Sequence, residues 1–302
     1  MLEFNKLRLE HRERFNEVIK KYNYRNSESS FASLYFWSKY EQIEIAFGEH
    51  AMFLRYLNDE GEKVCFSPVM YDMSEPIRPA IREIRSFLHC EDQTFCITGV
   101  IKEKREKIES EYDHFVFDED RDNFDYIYES EKLINLSGKK LSAKRNHINF
   151  FLNNYTHEYK QYDLSLKGEC LALIDSWHQS KDEDKFLDKE IEVLKKMLDE
   201  YELLDLKGAV VYVNGKIEAL TFGCALSEDT ALIHMEKANA EIRGLYPFIN
   251  QQFIKNEWAD YKYINREEDM GIEGLRKAKL SYYPAFMVEK YACSLDGNCN
   301  GR

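Results

Sequence analysis

Between Leu206 and Ala238 the chain reads as three strands in close succession, LKGAVVYV, KIEALTFGCAL and TALIHMEKA, the first two separated only by Asn214-Gly215. That dipeptide is the strongest short signal for a two-residue hairpin. Both of its positions need positive φ, and Asn and Gly adopt it at the least cost. An antiparallel meander is therefore expected in the second half, and the surrounding elements must cover a sheet.

The flanking runs supply those elements. A helix is expected over about 139–154, with Leu141, Ile148, Leu152 and Tyr155 on one stripe. The strand EYKQYDL follows, then helices over 167–180 and 186–201. After the meander come a helix over 245–258, the strand YKYIN, a helix over 273–282 and a final strand AFMVEKYAC. The first half has the same order. Phe15, Val18, Ile19 and Tyr22 mark a helix, and SSFASLYFWSKY a second one with Ser30 as N-cap. Strands QIEIAF, AMFLRYL and KVCFSPVM come next, then a helix over 76–89, strand TFCITGVI, a surface helix KEKREKIE and YDHFVF. No residue-level repeat accompanies this order. It implies an α+β fold with mixed, mostly antiparallel sheets in two domains, 1–130 and 131–302.

Composition narrows the function classes. The 302 residues suit two domains, and 44% hydrophobic with 14% aromatic residues is a globular balance. No apolar run approaches the roughly 20 residues that span a bilayer, and the N-terminus lacks an apolar core of signal-peptide length. A cytoplasmic protein without a membrane span is expected. The net charge of −13, concentrated between Glu109 and Glu131, opposes non-specific nucleic-acid binding. Seven scattered cysteines without a CxxC pair argue against a structural zinc site and a disulfide framework, and for reduced thiols. No HxH or HExxH occurs among the eight histidines, so no catalytic metal is expected. Asp118 to Glu129 fits a calcium loop at positions 1, 3, 5 and 12, but Asn123 stands where glycine is wanted.

Three stretches carry candidate chemistry. In EKANAEIRGLYPFIN a strand feeds a turn and a helix, which puts free N–H groups at the positive end of a helix dipole. Arg243, Gly244 and Leu245 there form either an anion site or a plain turn, since Pro247 removes an N–H but also starts helices well. Lys139, Lys140, Lys144, Arg145 and His147 make a basic patch in an acidic chain. Lys144 and Arg145 either hold phosphates or belong to a solvated face. In NREEDMGIEGLRKAKLSYYP, Asn265 ends a strand, where ligands of open sheets bind. Asn265, Glu267, Asp269, Arg276 and Lys279 could therefore face the site; Asp269, Arg276 and Lys279 are the substrate-binding candidates, and Arg276 and Lys279 share a helix face. His234, among apolar neighbours, reads either as a core or as a catalytic histidine.

SSFASLYFW, LSGKKLSAKRNHINFF, NGKIEALTFG, IHMEKANAEIRGLYPFINQQF and NREEDMGIEGLRKAKLSYYPAFMVEKY together resemble the family of the phosphatidylglycerol lysyltransferase C-terminal domain and its soluble relatives. The resemblance implies two GNAT-like domains in tandem, akin to Fem-type aminoacyl transferases. In GNAT folds an Arg/Gln-x-x-Gly-x-Gly/Ala loop cradles the CoA pyrophosphate, and here Arg243-Gly244 keeps one glycine of it. It further implies an acyl- or aminoacyltransferase with charged tRNA or acyl-CoA as donor, no tightly bound cofactor, and a small-molecule or peptide amine as acceptor. Glu236 is the candidate base, Tyr282 or Tyr283 the acid, Asn265 a further catalytic candidate, and Lys279 lies near substrate by the same resemblance. The degenerate glycine loop keeps open an alternative, a catalytically silent tandem protein that holds a ligand or partner.

Overall fold

The computed structural model describes residues 2–58, 61–91, 93–179, 185–295 and 297. They form two compact units. One contains the chain up to Asp125, Glu268–Gly271 and the segment from Val288 onward; the other contains Tyr126–Glu267 and Ile272–Met287. This division is discontinuous, whereas the expected segments 1–130 and 131–302 are contiguous.

In the first unit, β1 (Asn5–Lys6), α1 (Arg12–Ile19) and α2 (Phe31–Glu41) precede β2 (Glu44–Phe47), β3 (Ala51–Leu57), β4 (Lys63–Phe66) and β5 (Val69–Met70). Then follow α3 (Arg78–Cys90), β6 (Cys96–Ile101), α4 (Lys102–Glu111) and β7 (Val116–Glu119). Ser30 caps α2 by accepting the Ser33 N–H, which satisfies one donor left free by the first helical turn. The helix α4 is less exposed than its charged sequence implies, because Lys104 and Ile108 are buried.

The second unit starts at Tyr126, within β8 (Asp125–Glu129), and goes on through α5 (Ser130–Asn135), α6 (Ser142–Asn154) and β9 (His157–Gln161). It continues through α7 (Lys167–Gln179), α8 (Lys185–Glu200), β10 (Lys207–Val213), β11 (Lys216–Ala225), β12 (Thr230–Ala238) and α9 (Leu245–Glu257). β13 (Tyr263–Asn265), α10 (Glu273–Leu280) and β14 (Phe286–Val288) complete it, and β15 (Lys290–Ser294) belongs to the first unit. The expected final strand AFMVEKYAC is thus two strands in two sheets. The acidic run expected to be a poor calcium loop, Asp118 to Glu129, takes in the end of β7 and all of β8.

Each unit holds one sheet. The order is β1-β2-β3-β4-β6-β15-β7, with β5 on β3, in the first, and β14-β8-β13-β12-β11-β10-β9 in the second. Each has an antiparallel meander followed by one parallel pair, β4 with β6 and β12 with β13. The hairpin forms as expected, with Val213 opposite Lys216 and φ of 51° at Asn214 and 85° at Gly215. Phe151, Phe248 and Phe253 from α6 and α9 pack with Val211, Ala219 and Ile233 as the core of the second unit. Cys65, Cys170, Cys224 and Cys293 are buried thiols and Cys90 an exposed one. Cys96, against the expectation of reduced thiols, is disulfide-bonded.

Candidate active site

The second sheet opens at its parallel pair. β12 is nine residues long, yet only Thr230, Ala231 and Leu232 pair with β13. Beyond Asn265 the chain stays with β8, since the Arg266 N–H donates to the Tyr126 carbonyl and the Tyr126 N–H to that of Glu267. From Ile233 onward β12 therefore diverges from the segment after β13, and side chains rather than backbone bonds span the gap. Glu267 adopts φ of 56° at this point, a costly conformation for a residue with a Cβ.

Glu236 and Arg266 meet across one face. Arg266 Nη2 lies 3.1 Å from Glu236 Oε1, and Asn250 Nδ2 of α9 donates to Oε2 at 2.9 Å. The Arg266 guanidinium sits 4.9 Å above the Tyr282 ring and 5.8 Å from that of Tyr128. Lys144 of α6 brings its ammonium to 3.9 Å from the same Tyr282 ring. Burial and then the neighbouring Arg266 charge push Lys144 down to about 8, with Glu236 acting in the opposite sense. Burial raises the Tyr282 phenol to about 12, so it stays protonated at neutral pH. Lys279 holds this set from beneath: its Nζ donates to the Arg266 carbonyl at 2.6 Å, and its own carbonyl accepts from Tyr128 Oη at 2.8 Å.

Glu236, Lys144, Tyr282 and Lys279, singled out from sequence, thus converge. The remaining candidates lie elsewhere. Gly244 has φ of 91°, and a Cβ there would stand 2.1 Å from the His147 carbonyl oxygen. The missing side chain makes room for α6. Among the first N–H groups of α9, that of Leu245 is taken by the Ile242 carbonyl and Pro247 has none. Arg243 stacks 4.5 Å over Phe150 and donates to His147 Nδ1 at 3.4 Å. Arg145 donates to the Leu136 and Gly138 carbonyls, bracing a turn in which Leu136 has φ of 46°. Lys140 lies over Tyr283, which is exposed. Asn265 accepts the Glu267 N–H at 2.6 Å and shapes the turn. Asp269 belongs to the first unit, where it accepts from the Gly271 N–H and pairs with Arg121 at 3.2 Å. Arg276 is half-buried on α10.

Sequence reasoning missed Arg266, Asn250 and Tyr128. Arg266 follows Asn265 at the same strand end, so the rule that selected its neighbours applied to it equally. Asn250 interrupts the apolar face of Phe248, Ile249, Phe253 and Ile254, and a polar residue in such a stripe is itself a signal. Tyr128 lay in a segment whose place in this sheet no local pattern revealed.

The family model for the phosphatidylglycerol lysyltransferase C-terminal domain matches residues 19–294. The chain belongs to that family. Within and around the lysyltransferase family its architecture recurs. A conserved protein of unknown function from Bacteroides thetaiotaomicron is 36% identical, with a TM-score of 0.92 over 98% of this chain and 100% of that one. The L-PGS structure from Bacillus licheniformis has a TM-score of 0.65 at 15% identity, covering 95% of this chain and 93% of that one. A tandem GNAT protein from the clavulanic acid biosynthesis pathway has a TM-score of 0.50 at 9% identity, covering 99% and 100%. The two mixed sheets are accordingly tandem GNAT-like folds. Among the described residues of this lysyltransferase-family chain, no helix is long and apolar enough to cross a membrane.

Proposed function

We propose that the second unit is an acyltransferase site that moves an aminoacyl group from charged tRNA to an amine acceptor. The observation that carries this reading is Lys144, which has no hydrogen-bond or ion-pair partner among the described residues, beside the buried Arg266–Glu236 pair. Direct acyl transfer needs a proton acceptor for the amine, a cation for the developing oxyanion and a proton donor for the leaving oxygen. Both Glu236 oxygens are held by Asn250 and Arg266, so Glu236 orients the arginine rather than taking the proton. Lys144, whose proton is loosened to about 8, takes it. Arg266 faces the oxyanion, and protonated Tyr282 supplies the leaving oxygen. The crowded Arg243-Gly244 turn argues against a CoA pyrophosphate there and in favour of a charged-tRNA donor, in keeping with the lysyl transfer for which the family is named.

The test is loss of label from aminoacylated tRNA in the presence of amine acceptors, with acetyl-CoA as a parallel donor. Acceleration with tRNA that drops about 100-fold in Tyr282→Phe supports the reading. Turnover with acetyl-CoA alone would move the donor assignment to CoA. A second reading, ligand holding without catalysis, draws on the locked Glu236 and is favoured if both donors bind and neither is consumed.

A further inference from the structure

The other face of the same opening holds a second chemical set. β11 has no extra residue between Ala219 and Ala225, so Thr221, which pairs with Glu236, and Cys224, three residues on, point to opposite faces. On the Cys224 face, His234 Nε2 lies 3.2 Å from Cys224 Sγ, and His234 Nδ1 lies 3.3 Å from Glu267 Oε1. This is the geometry of a nucleophile, a base and an orienting carboxylate.

Two independent features of the backbone aim these side chains. Phe222 pairs with Met235 and Gly223 with Ile233, so His234 is the extra residue of a β-bulge in β12. Bulges commonly re-aim side chains beside reactive sites. Glu267 reaches His234 from the left-handed conformation already described, while its neighbour Arg266 reaches Glu236 on the other face. A histidine kept only as core filling needs neither distortion. The His234 side chain is 2% exposed and Cys224 6%, whereas the Glu267 side chain keeps 23%, so approach is alongside the carboxylate.

We propose that Cys224, His234 and Glu267 form a thiol acyl-acceptor site that takes an acyl group from an activated ester and holds it as a thioester. The Cys224 proton passes to His234 Nε2 as sulfur attacks the ester carbonyl. The C–O bond breaks, and the leaving oxygen takes the proton from the imidazolium that Glu267 stabilises. An amine or water then attacks the thioester, the C–S bond breaks, and the thiol is restored through His234. This goes beyond the direct transfer assigned to the Lys144 face and does not depend on it, because a small ester tests it without tRNA.

The experiment incubates the intact chain with p-nitrophenyl acetate, follows nitrophenolate release and maps the acetyl group by mass spectrometry. The expected result is one hydroxylamine-labile acetyl on Cys224, absent in Cys224→Ala and formed about 100-fold more slowly in His234→Gln. Exposed Cys90 is the internal reference, since its alkylation rate is expected to be equal in all variants. Should His234→Gln melt early, Glu267→Gln, altered at a partly exposed side chain, is expected to slow acetylation while keeping the fold. Acetyl appearing on Cys90 or lysines but not on Cys224, or on Cys224 equally fast in the His234 and Glu267 variants, overturns the proposal.

Discussion

Lys144 and Arg266 bring two positive charges against the one carboxylate of Glu236, and the physics of that imbalance sets the behaviour of the site. Arginine keeps its charge at any accessible pH, so the lysine is the group that yields. Its proton leaves near 8 in the folded chain, against 10.5 for an ordinary lysine. Two consequences follow from that sign. Transfer should rise with pH through about 8 as Lys144 becomes a free base, and Lys144→Met should lower the rate about 100-fold and flatten the profile; rates measured from pH 6 to 9 check this. Between about 8 and 10.5 the unfolded chain also binds the extra proton, so this lysine's contribution to stability rises with pH across that window. Arg145, from the same basic run, behaves differently because it donates to two backbone carbonyls, those of Leu136 and Gly138. Residue type and spacing along α6 do not distinguish the two; the neighbours of each ammonium or guanidinium do.

At the level of elements, the packing of α6 on α9 leaves no room for a side chain at Gly244. The helix pair closes until the His147 carbonyl occupies the space of a side chain at position 244. Gly244→Ala should therefore cost about 3 kcal/mol, combining backbone strain at positive φ with a forced separation of the helices, and a denaturant titration reads it. If the glycine instead served a pyrophosphate, stability would change little and donor binding would be lost. The meander, the hairpin turn and most helices were legible in the sequence, because Asn214-Gly215, Ser30 and the apolar stripes are local signals. The divergence of β12 from β13 was not. It depends on where Arg266 finds its backbone partner, and that partner, Tyr126, lies 140 positions earlier in the chain.

On the scale of the whole molecule, the last strand decides how the chain is organised. β15 lies between β6 and β7 in the middle of the first sheet, so the first unit lacks an interior strand until the C-terminal segment arrives. A fragment of residues 1–130 should accordingly fail to fold, as read by far-UV circular dichroism and soluble yield, unless residues 288–302 are supplied. Within that unit Lys290 is buried with two carboxylates, at 2.7 Å from Glu28 and 3.1 Å from Asp125. One lysine serves two acids. Burial and the nearby Glu28 charge raise Asp125 to about 7 despite Lys290, while Glu28 is held below its usual range. Lys290→Met should destabilise the unit by about 3–5 kcal/mol at neutral pH, because it strands buried charge. In the parent protein, folded Asp125 keeps its proton up to about 7 while the unfolded chain releases it near 3.8. The folded state thus binds more protons in between, and stability from this group falls as pH rises across that range. Asp125→Asn should remove that slope in denaturation measured at pH 5 and 7.

Local chemistry determined which segments became strands, helices and turns: alternation, 3.6-residue periodicity, a serine cap and an Asn-Gly turn act over a few residues and need no tertiary partner. The family resemblance was legible too, carried by runs such as NREEDMGIEGLRKAKLSYYP. The tertiary structure alone decided which charges meet and which brace a turn. Lys144 came to rest over the Tyr282 ring, with no hydrogen-bond or ion-pair partner among the described residues, while Arg145 clamped a turn. Glu236 was tied to Arg266, Asp269 went to the other unit, and Cys224, His234 and Glu267 came together on the reverse face of the opening. Those outcomes depend on contacts between residues far apart in sequence, and the energy of a charge is set by what surrounds it in space.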